Sequence, residues 1–135
     1  MFEIIGEDIA ALSDDDLRSL VARLCEAEVR RQGLPASSVT WGGDQNAPDG
    51  GVDVRVNAPT KRSIQGFIPR RATGFQVKKP NLARAGILKE MRPGGKVRPV
   101  IRALAQQSGA YIIVSAGASV SDSALAYHRR CIRGR

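Results

Sequence analysis

Apolar residues recur at helical spacing in the first third of the chain. In the stretch DDDLRSLVARLCEAEVRRQG, leucines and valines return every three or four residues, which is the pattern of a helix with one apolar face. Ser13 offers an N-cap and three acids follow it, where the helix dipole favours negative charge. Gly33 and Pro35 end the pattern. The sequence therefore predicts a helix that begins after Ser13.

Shorter patterns in the rest of the chain predict strands and further helices. The strand candidates are SSVTW, VDVRV, TGFQVKK and the nearly continuous apolar run AYIIVSA. Helical spacing returns in NLARAGILKEM and VRPVIRALAQQSG, which RPGG separates, and in SVSDSALAYHRRCIR. The order αβββαβα predicts an α/β fold with a central mixed sheet of about four strands flanked by helices.

Length and composition limit the class of protein. A chain of 135 residues has the size of one domain, so we expect residues 1–135 to form one, as the N-terminal module of a longer protein. Two distant cysteines and one histidine provide no zinc ligand set and fit a reducing, cytoplasmic location. The acidic N-terminus, with only a short apolar run, predicts neither a signal peptide nor a membrane span.

Charge is distributed unevenly along the chain. Residues 1–28 contain eight acids and two arginines, a net charge of −6, whereas residues 29–135 contain five acids and nineteen basic residues, a net charge of +14. Such a surplus favours a polyanionic partner, with nucleic acid first and an anionic membrane surface second. A solvated basic surface without a partner is the ordinary alternative.

Two acids lie at positions where apolar residues are expected. Asp53 interrupts the valines of VDVRV directly after two glycines, and Glu28 falls within the apolar stripe of the first helix, whereas Glu26 falls on its opposite side. If VDVRV and TGFQVKK are neighbouring strands, Gln76 and Lys78 share a sheet face with Asp53. We expect Glu28 to reach this face from a helix packed there.

Two carboxylates, an amide oxygen and a lysine suit the hydrolysis of a phosphodiester. Mg²⁺ prefers oxygen ligands and retains several waters, so Asp53, Glu28 and Gln76 would bind it in part and leave room for phosphate and water. Lys78 would orient or deprotonate the attacking water and offset the charge of the transition state. Each residue also has an ordinary explanation, since half-exposed strands commonly alternate polar and apolar positions.

The stretch DGGVDVRV followed by FQVKK resembles the PD-(D/E)xK nuclease superfamily, and most closely its Mrr-like restriction-endonuclease branch. The similarity spans roughly residues 14–116. It implies a restriction-endonuclease-like core, with Asp53 and Gln76 as metal ligands, Lys78 as the catalytic lysine and Glu28 as the helix carboxylate of the site.

The resemblance also implies an activity and its partners. Such domains cut DNA with Mg²⁺, for which Mn²⁺ can substitute, often as modules that are fused to NTPase or sensor regions in restriction and anti-phage proteins. Gln76 replaces the more common acid, which predicts one bound metal ion rather than two. Asp49, in the literal PD of the preceding loop, is a candidate for supporting the ligands from outside the metal's coordination shell.

The candidate residues and the resemblance together predict a metal-dependent DNA endonuclease domain acting on double-stranded DNA. Cutting both strands would favour a homodimer. The alternatives are a non-catalytic nucleic-acid-binding module on the same fold and a basic domain that scaffolds a larger assembly. Seven basic residues are candidates for contacts with the DNA backbone: Lys61, Arg62, Arg70, Arg71, Lys79, Arg84 and Lys89.

Overall fold

The computed structural model describes residues 3–42, 52–59, 66–78 and 83–116. Four residues named above (Asp49, Lys61, Arg62 and Lys79) and the predicted last helix lie outside the described residues. The helices are α1 (Gly6–Ala10), α2 (Asp14–Arg31), α3 (Arg84–Met91) and α4 (Pro99–Gln106), with 3₁₀ turns at Ala36–Ser38 and Pro93–Gly95. The strands are β1 (Val39–Trp41), β2 (Val54–Asn57), β3 (Ala72–Lys78) and β4 (Ala110–Ser115).

The four strands form one mixed sheet in the order β1-β2-β3-β4. The β1–β2 and β2–β3 pairs are antiparallel, and β4 joins β3 in parallel after the crossover through α3 and α4. This arrangement confirms the predicted α/β class with a four-stranded mixed sheet flanked by helices. In the described part of the chain, no helix combines the length and apolar character needed to cross a membrane.

Helix α2 forms where its end signals predict it. The Ser13 hydroxyl accepts a hydrogen bond from the Asp16 amide at 3.1 Å and caps the first turn. The buried side of α2 packs on one face of the sheet, which we call the α2 face, against a cluster that includes Val54, Val56 and Phe75. Burial of this apolar surface is the main force that holds helix and sheet together.

A second, smaller apolar cluster covers the opposite side of the sheet, the α4 face. Ala72, Val100 and Leu104 form its buried centre, and Val52 packs against them. The pattern VDVRV predicts Val52 on the same side as Val54, yet the two valines pack on opposite faces. The difference arises because β2 begins only at Val54, so strict alternation does not extend back through the bend at Asp53.

Candidate functional site

Asp53 lies in the bend that precedes β2 and is held against the backbone of β3. Its amide donates to the Phe75 carbonyl at 3.0 Å, and its Oδ2 accepts a hydrogen bond from the Val77 amide at 2.7 Å. Its Oδ1 lies 3.2 Å from Arg18 Nε on α2. The residue is only 9% exposed, so this carboxylate is fixed by partners from both a strand and a helix.

Burial decides the protonation behaviour of Asp53. Desolvation raises the pKa of Asp53 above its ordinary value, although the hydrogen bond from Val77 and the charges of Arg18 and Lys78 act in the opposite direction. The negative charge of Glu90 raises the pKa of Asp53 further. The structure thus holds a buried acid whose charged form its surroundings only partly stabilise, which is a common property of functional carboxylates.

Gln76 and Lys78 lie beside Asp53 because of the register of the β2–β3 pair. Val54 is the partner of Phe75 in this pair. Asp53, directly before Val54, therefore lies opposite Gln76, directly after Phe75. Phe75 and Val77 belong to the cluster on the α2 face, and Gln76 and Lys78 therefore face the opposite side. The structure thus places Gln76 and Lys78 next to Asp53, as the sequence predicts, although Asp53 lies in the bend before β2 and not in the strand itself.

Within the described residues, the side-chain oxygen of Gln76 is a buried acceptor without a donor. Gln76 is 6% exposed, and its Oε1 accepts no hydrogen bond. Leaving such an atom unsatisfied costs about 1–3 kcal/mol. An amide oxygen in this state, next to a buried carboxylate, suits a ligand that supplies positive charge or a hydrogen bond.

A second buried polar atom on the same face also has no partner in the described chain. Tyr111 stands beside Gly74 in the β3–β4 pair, and its hydroxyl makes no hydrogen bond. Burial raises the pKa of Tyr111, and the negative charge of Glu90 raises it further. Two buried polar groups on the α4 face of β3 and β4 therefore have no hydrogen-bond partner among the described residues.

Glu90 on α3 is a carboxylate of this site that the sequence patterns did not predict. Its Oε2 lies 3.4 Å from Lys78 Nζ, and its Oε1 lies 2.9 Å from Arg98 Nη2. Arg98 Nε also donates to the main-chain carbonyl of Glu90. Glu90 is the only acid between Asp53 and Asp122, and this isolation within a basic stretch is the signal that could have drawn attention to it.

Glu28 does not join the cluster, in contrast to the expectation from helical phase. Its carboxylate binds Arg31 at 2.6 Å and Gln32 at 2.9 Å and lies against Gly66. The hydrogen bond from Arg31 is the main cause that lowers the pKa of Glu28. Glu28 follows Arg18, the α2 residue that contacts Asp53, by ten residues, which is about 15 Å along a helix.

This difference has two physical reasons: Glu28 lies too far along α2 from the Arg18–Asp53 contact, and α2 packs on the side of the sheet opposite to Gln76 and Lys78. Helix α2 covers the α2 face, whereas Gln76 and Lys78 face the α4 face. Glu26, the alternative helix acid, accepts a hydrogen bond from the Trp41 indole at 3.2 Å and pairs with Arg23 at 3.1 Å. Both helix acids therefore have partners away from the Asp53 cluster.

Four of the predicted nucleic-acid-binding residues fall in the described chain, and all four are exposed. Arg70 donates to the Pro69 carbonyl at 3.0 Å, and Arg71 follows it directly before β3. Arg84 and Lys89 lie on α3, the helix that carries Glu90. Their exposure leaves them accessible to a polyanion.

The donor set of the cluster fits a hard divalent cation. Asp53 and Gln76 provide oxygen atoms, and Glu90 adds a second carboxylate, which contacts Lys78 Nζ. The described residues contain no group of three histidine, cysteine, aspartate or glutamate side chains placed to hold a metal. A cation at this cluster would thus depend on the Gln76 amide and on water for the rest of its ligands, as Mg²⁺ commonly does.

The raised pKa of Asp53 predicts a pH-dependent contribution to stability. Between the unfolded and the folded pKa the folded state binds more protons than the unfolded state, so this group makes folding less favourable as pH rises through that window. We expect the native chain to lose stability relative to Asp53→Asn as pH increases from about 4, near the ordinary aspartate pKa. Urea unfolding of both proteins from pH 4 to 7 measures the difference.

Comparing the two proteins isolates Asp53 from the other acids. Glu26 and Glu28 have lowered pKa values, so their contributions are lost as pH falls, which is the opposite direction. These contributions cancel in the difference between the native and the variant protein. A difference in unfolding free energy that stays constant with pH, or that grows in favour of the native chain, would contradict a pKa raised by burial.

Comparisons of the chain with models of known protein families, with characterised proteins and with solved structures return no match. Similarity therefore assigns neither a family nor an activity to this chain. The geometry of the cluster formed by Asp53, Gln76, Lys78 and Glu90 is the basis for a functional proposal.

Proposed function

We propose that this chain is a metal-dependent DNA endonuclease domain with a restriction-endonuclease-like core, using Mg²⁺ or Mn²⁺ to hydrolyse phosphodiester bonds. The observation that carries the proposal is the buried Oε1 of Gln76 beside Asp53 and Lys78, which accepts no hydrogen bond from the part of the chain that the structure describes. A buried amide oxygen next to a carboxylate and a lysine is costly as a purely structural arrangement. It becomes favourable when a cation binds both oxygens.

The topology supports the same proposal. Three antiparallel strands, a helical crossover and a parallel fourth strand are compatible with the αβββαβ part of the predicted core. Asp53 precedes β2, and Lys78 is the last residue of β3. Because β2 and β3 are antiparallel, the start of one strand and the end of the other meet at the same end of the sheet.

Each residue of the cluster has a role in the proposed reaction. Asp53 and Gln76 would hold the cation, which polarises the phosphate and lowers the pKa of bound water when it is present. Lys78 would orient the attacking water, accept its proton when neutral, and offset negative charge in the transition state when protonated. Arg18 holds the Asp53 carboxylate in position through Oδ1.

Glu90 is proposed as the second carboxylate of the site, with a role that differs from the metal ligand predicted at Glu28. It binds the Lys78 ammonium, and Arg98 fixes it through both its carboxylate and its main-chain carbonyl. This fixed carboxylate restricts where the Lys78 side chain can lie, which favours a reactive geometry over the many rotamers of a free lysine. Glu90 is thereby a positioning residue for Lys78.

Cleavage of supercoiled plasmid by the full chain tests the proposal. With MgCl₂ or MnCl₂ we expect conversion to nicked or linear DNA, and with EDTA we expect none, because the reaction requires the cation. A preparation carrying Lys78→Ala, purified in parallel, reports any contaminating nuclease. DNA that stays supercoiled in both metals while the protein binds it would refute the endonuclease and favour the alternative below.

The alternative function is a non-catalytic DNA-binding module on the same fold. One observation favours it: both oxygens of Asp53 already have protein partners, Val77 and Arg18, so its charge is partly compensated without a metal. Such a module would bind DNA equally well in EDTA and in MnCl₂. Asp53→Ala would not weaken that binding, whereas it would abolish divalent-cation binding by the endonuclease.

A further inference from the structure

The α4 face of the sheet has an open polar part on β1 and β2, which we call the open strip and define as Thr40, Arg55 and Asn57. Val54 and Val56 pack in the cluster on the α2 face, so Arg55 and Asn57 point to the opposite side. Thr40 is the neighbour of Arg55 in the β1–β2 pair. The open strip therefore crosses two adjacent strands on one face.

The exposure of the residues along the α4 face shows where the helical layer on that face ends. Helix α4 packs on β3 and β4, and Gly74 and Gln76 on β3 are buried. On β2, Arg55 is half-buried and Asn57 is exposed, and Thr40 on β1 is exposed as well. Among the described residues, the helical layer thus covers the β3–β4 half of this face and leaves the open strip accessible.

Arg55 is the charged centre of the open strip. It is half-buried, and in the described chain its guanidinium forms neither an ion pair nor a hydrogen bond. Its neighbours across the sheet are Thr40 and Gly74, neither of which carries a charge. An arginine whose charge has no counter-charge among the described residues is available to bind an anion.

The open strip begins close to the candidate site along the chain. Arg55 follows Asp53 by two residues, which is about 7 Å along a strand. The strip offers a guanidinium, a hydroxyl and an amide, which are the side-chain groups that bind phosphate oxygens in complexes with DNA. Residues 29–135 carry a net charge of +14, which favours a polyanion over an acidic peptide of a few residues.

We propose that the open strip binds the phosphate backbone of duplex DNA, with Arg55 as its main phosphate ligand, and so leads the substrate to the Asp53 cluster. This inference rests on the proposed function for the identity of the ligand. It adds a contact surface outside the predicted basic residues, none of which lies on β2. The polarity of the strip, without a base-reading element, fits recognition of backbone rather than sequence.

Fluorescence anisotropy with a labelled 20-base-pair duplex in EDTA tests the contact without cleavage. Titrations of the full chain between about 50 and 200 mM NaCl give the slope of log affinity against log salt concentration. For Arg55→Gln we expect the slope to fall by about one unit and the affinity at the lower salt to fall by about three- to tenfold. Arg55→Lys keeps the charge and retains most of the affinity.

Arg30→Gln is the matched control, because Arg30 is an exposed arginine on α2, the helix that covers the other face. Equal slopes for Arg55→Gln and Arg30→Gln would overturn the inference, and so would equal losses for Arg55→Lys and Arg55→Gln. Absence of binding by the native chain would overturn both the inference and the DNA substrate. Binding that depends on Arg55 without metal-dependent cleavage would support the inference and refute the endonuclease.

Discussion

Replacing Lys78 by alanine is expected to lower the rate of metal-dependent DNA cleavage by about 10²–10³-fold, the range typical for the loss of a positioned acid–base or charge-stabilising group. Lys78 Nζ lies beside the Glu90 carboxylate, and its charge acts on Asp53. Because an ammonium group repels a cation, its removal leaves Mn²⁺ affinity unchanged or slightly increased. Single-turnover cleavage and isothermal calorimetry with MnCl₂ measure the two quantities.

Lys96→Ala is the matched control for this substitution. Lys96 is an exposed lysine that follows the second 3₁₀ turn, and its loss should leave the cleavage rate within about twofold. Lys78→Arg separates the two proposed roles, since an arginine keeps the charge and does not give up its proton. If Lys78→Ala cleaves DNA at the native rate, the cluster takes no part in the reaction.

Helix α2 and the β2–β3 pair follow from local sequence signals. The N-cap at Ser13 and the alternation in FQVK are properties of neighbouring residues, and the structure confirms both, since Phe75 and Val77 pack in the cluster on the α2 face and Gln76 does not. The contact between Asp53 and β3 was also predictable, because two strands separated by a loop commonly pair in an antiparallel manner. These parts depend on interactions that are close in sequence or fixed by strand register.

The placement of Glu28 and Glu90 depends on tertiary packing, which periodicity does not determine. The phase of α2 predicts that Glu28 lies on the apolar side of the helix, but it does not predict which sheet face the helix covers. Glu90 lies on α3, whose only buried residue is Ile87, so its helical pattern is weak. Its position beside Lys78 follows from how α3 packs at the end of β3.

The Glu90 contacts illustrate how a charged cluster can form between elements with few apolar contacts. Glu90 binds Lys78 on β3 and also binds Arg98, the residue that precedes α4. Its side chain is 13% exposed, so these ion pairs are less screened by water than surface pairs. The cluster therefore links α3 to both the sheet and α4, and a sequence pattern for any one element does not reveal it.

Gln76→Glu is expected to have opposite effects on the metal-free and metal-bound protein. In EDTA at pH 7 it adds a buried acid beside Asp53, whose pKa burial already raises. The cost is limited because the new carboxyl can take up a proton, and we expect a loss of about 2–4 kcal/mol of stability. For a chain of this size the melting temperature would fall by about 10 °C.

The same substitution replaces a neutral ligand by a charged one, so Mn²⁺ should bind about 10–100-fold more tightly. Saturating MnCl₂ should then recover most of the lost melting temperature. Thermal unfolding in EDTA and in MnCl₂, together with calorimetric titration, measures both effects. Gln106→Glu, at an exposed position on α4, should change neither the metal affinity nor the stability by more than about 0.5 kcal/mol.

The combination of results decides what the unpartnered oxygen of Gln76 is for. Destabilisation in EDTA that MnCl₂ reverses means that the side chain borders a cation site, because only a bound cation compensates the added charge. Destabilisation that MnCl₂ does not reverse means that Gln76 is buried but holds no metal, which favours the non-catalytic module. A variant as stable as the native chain in EDTA would contradict the burial of Gln76 beside Asp53.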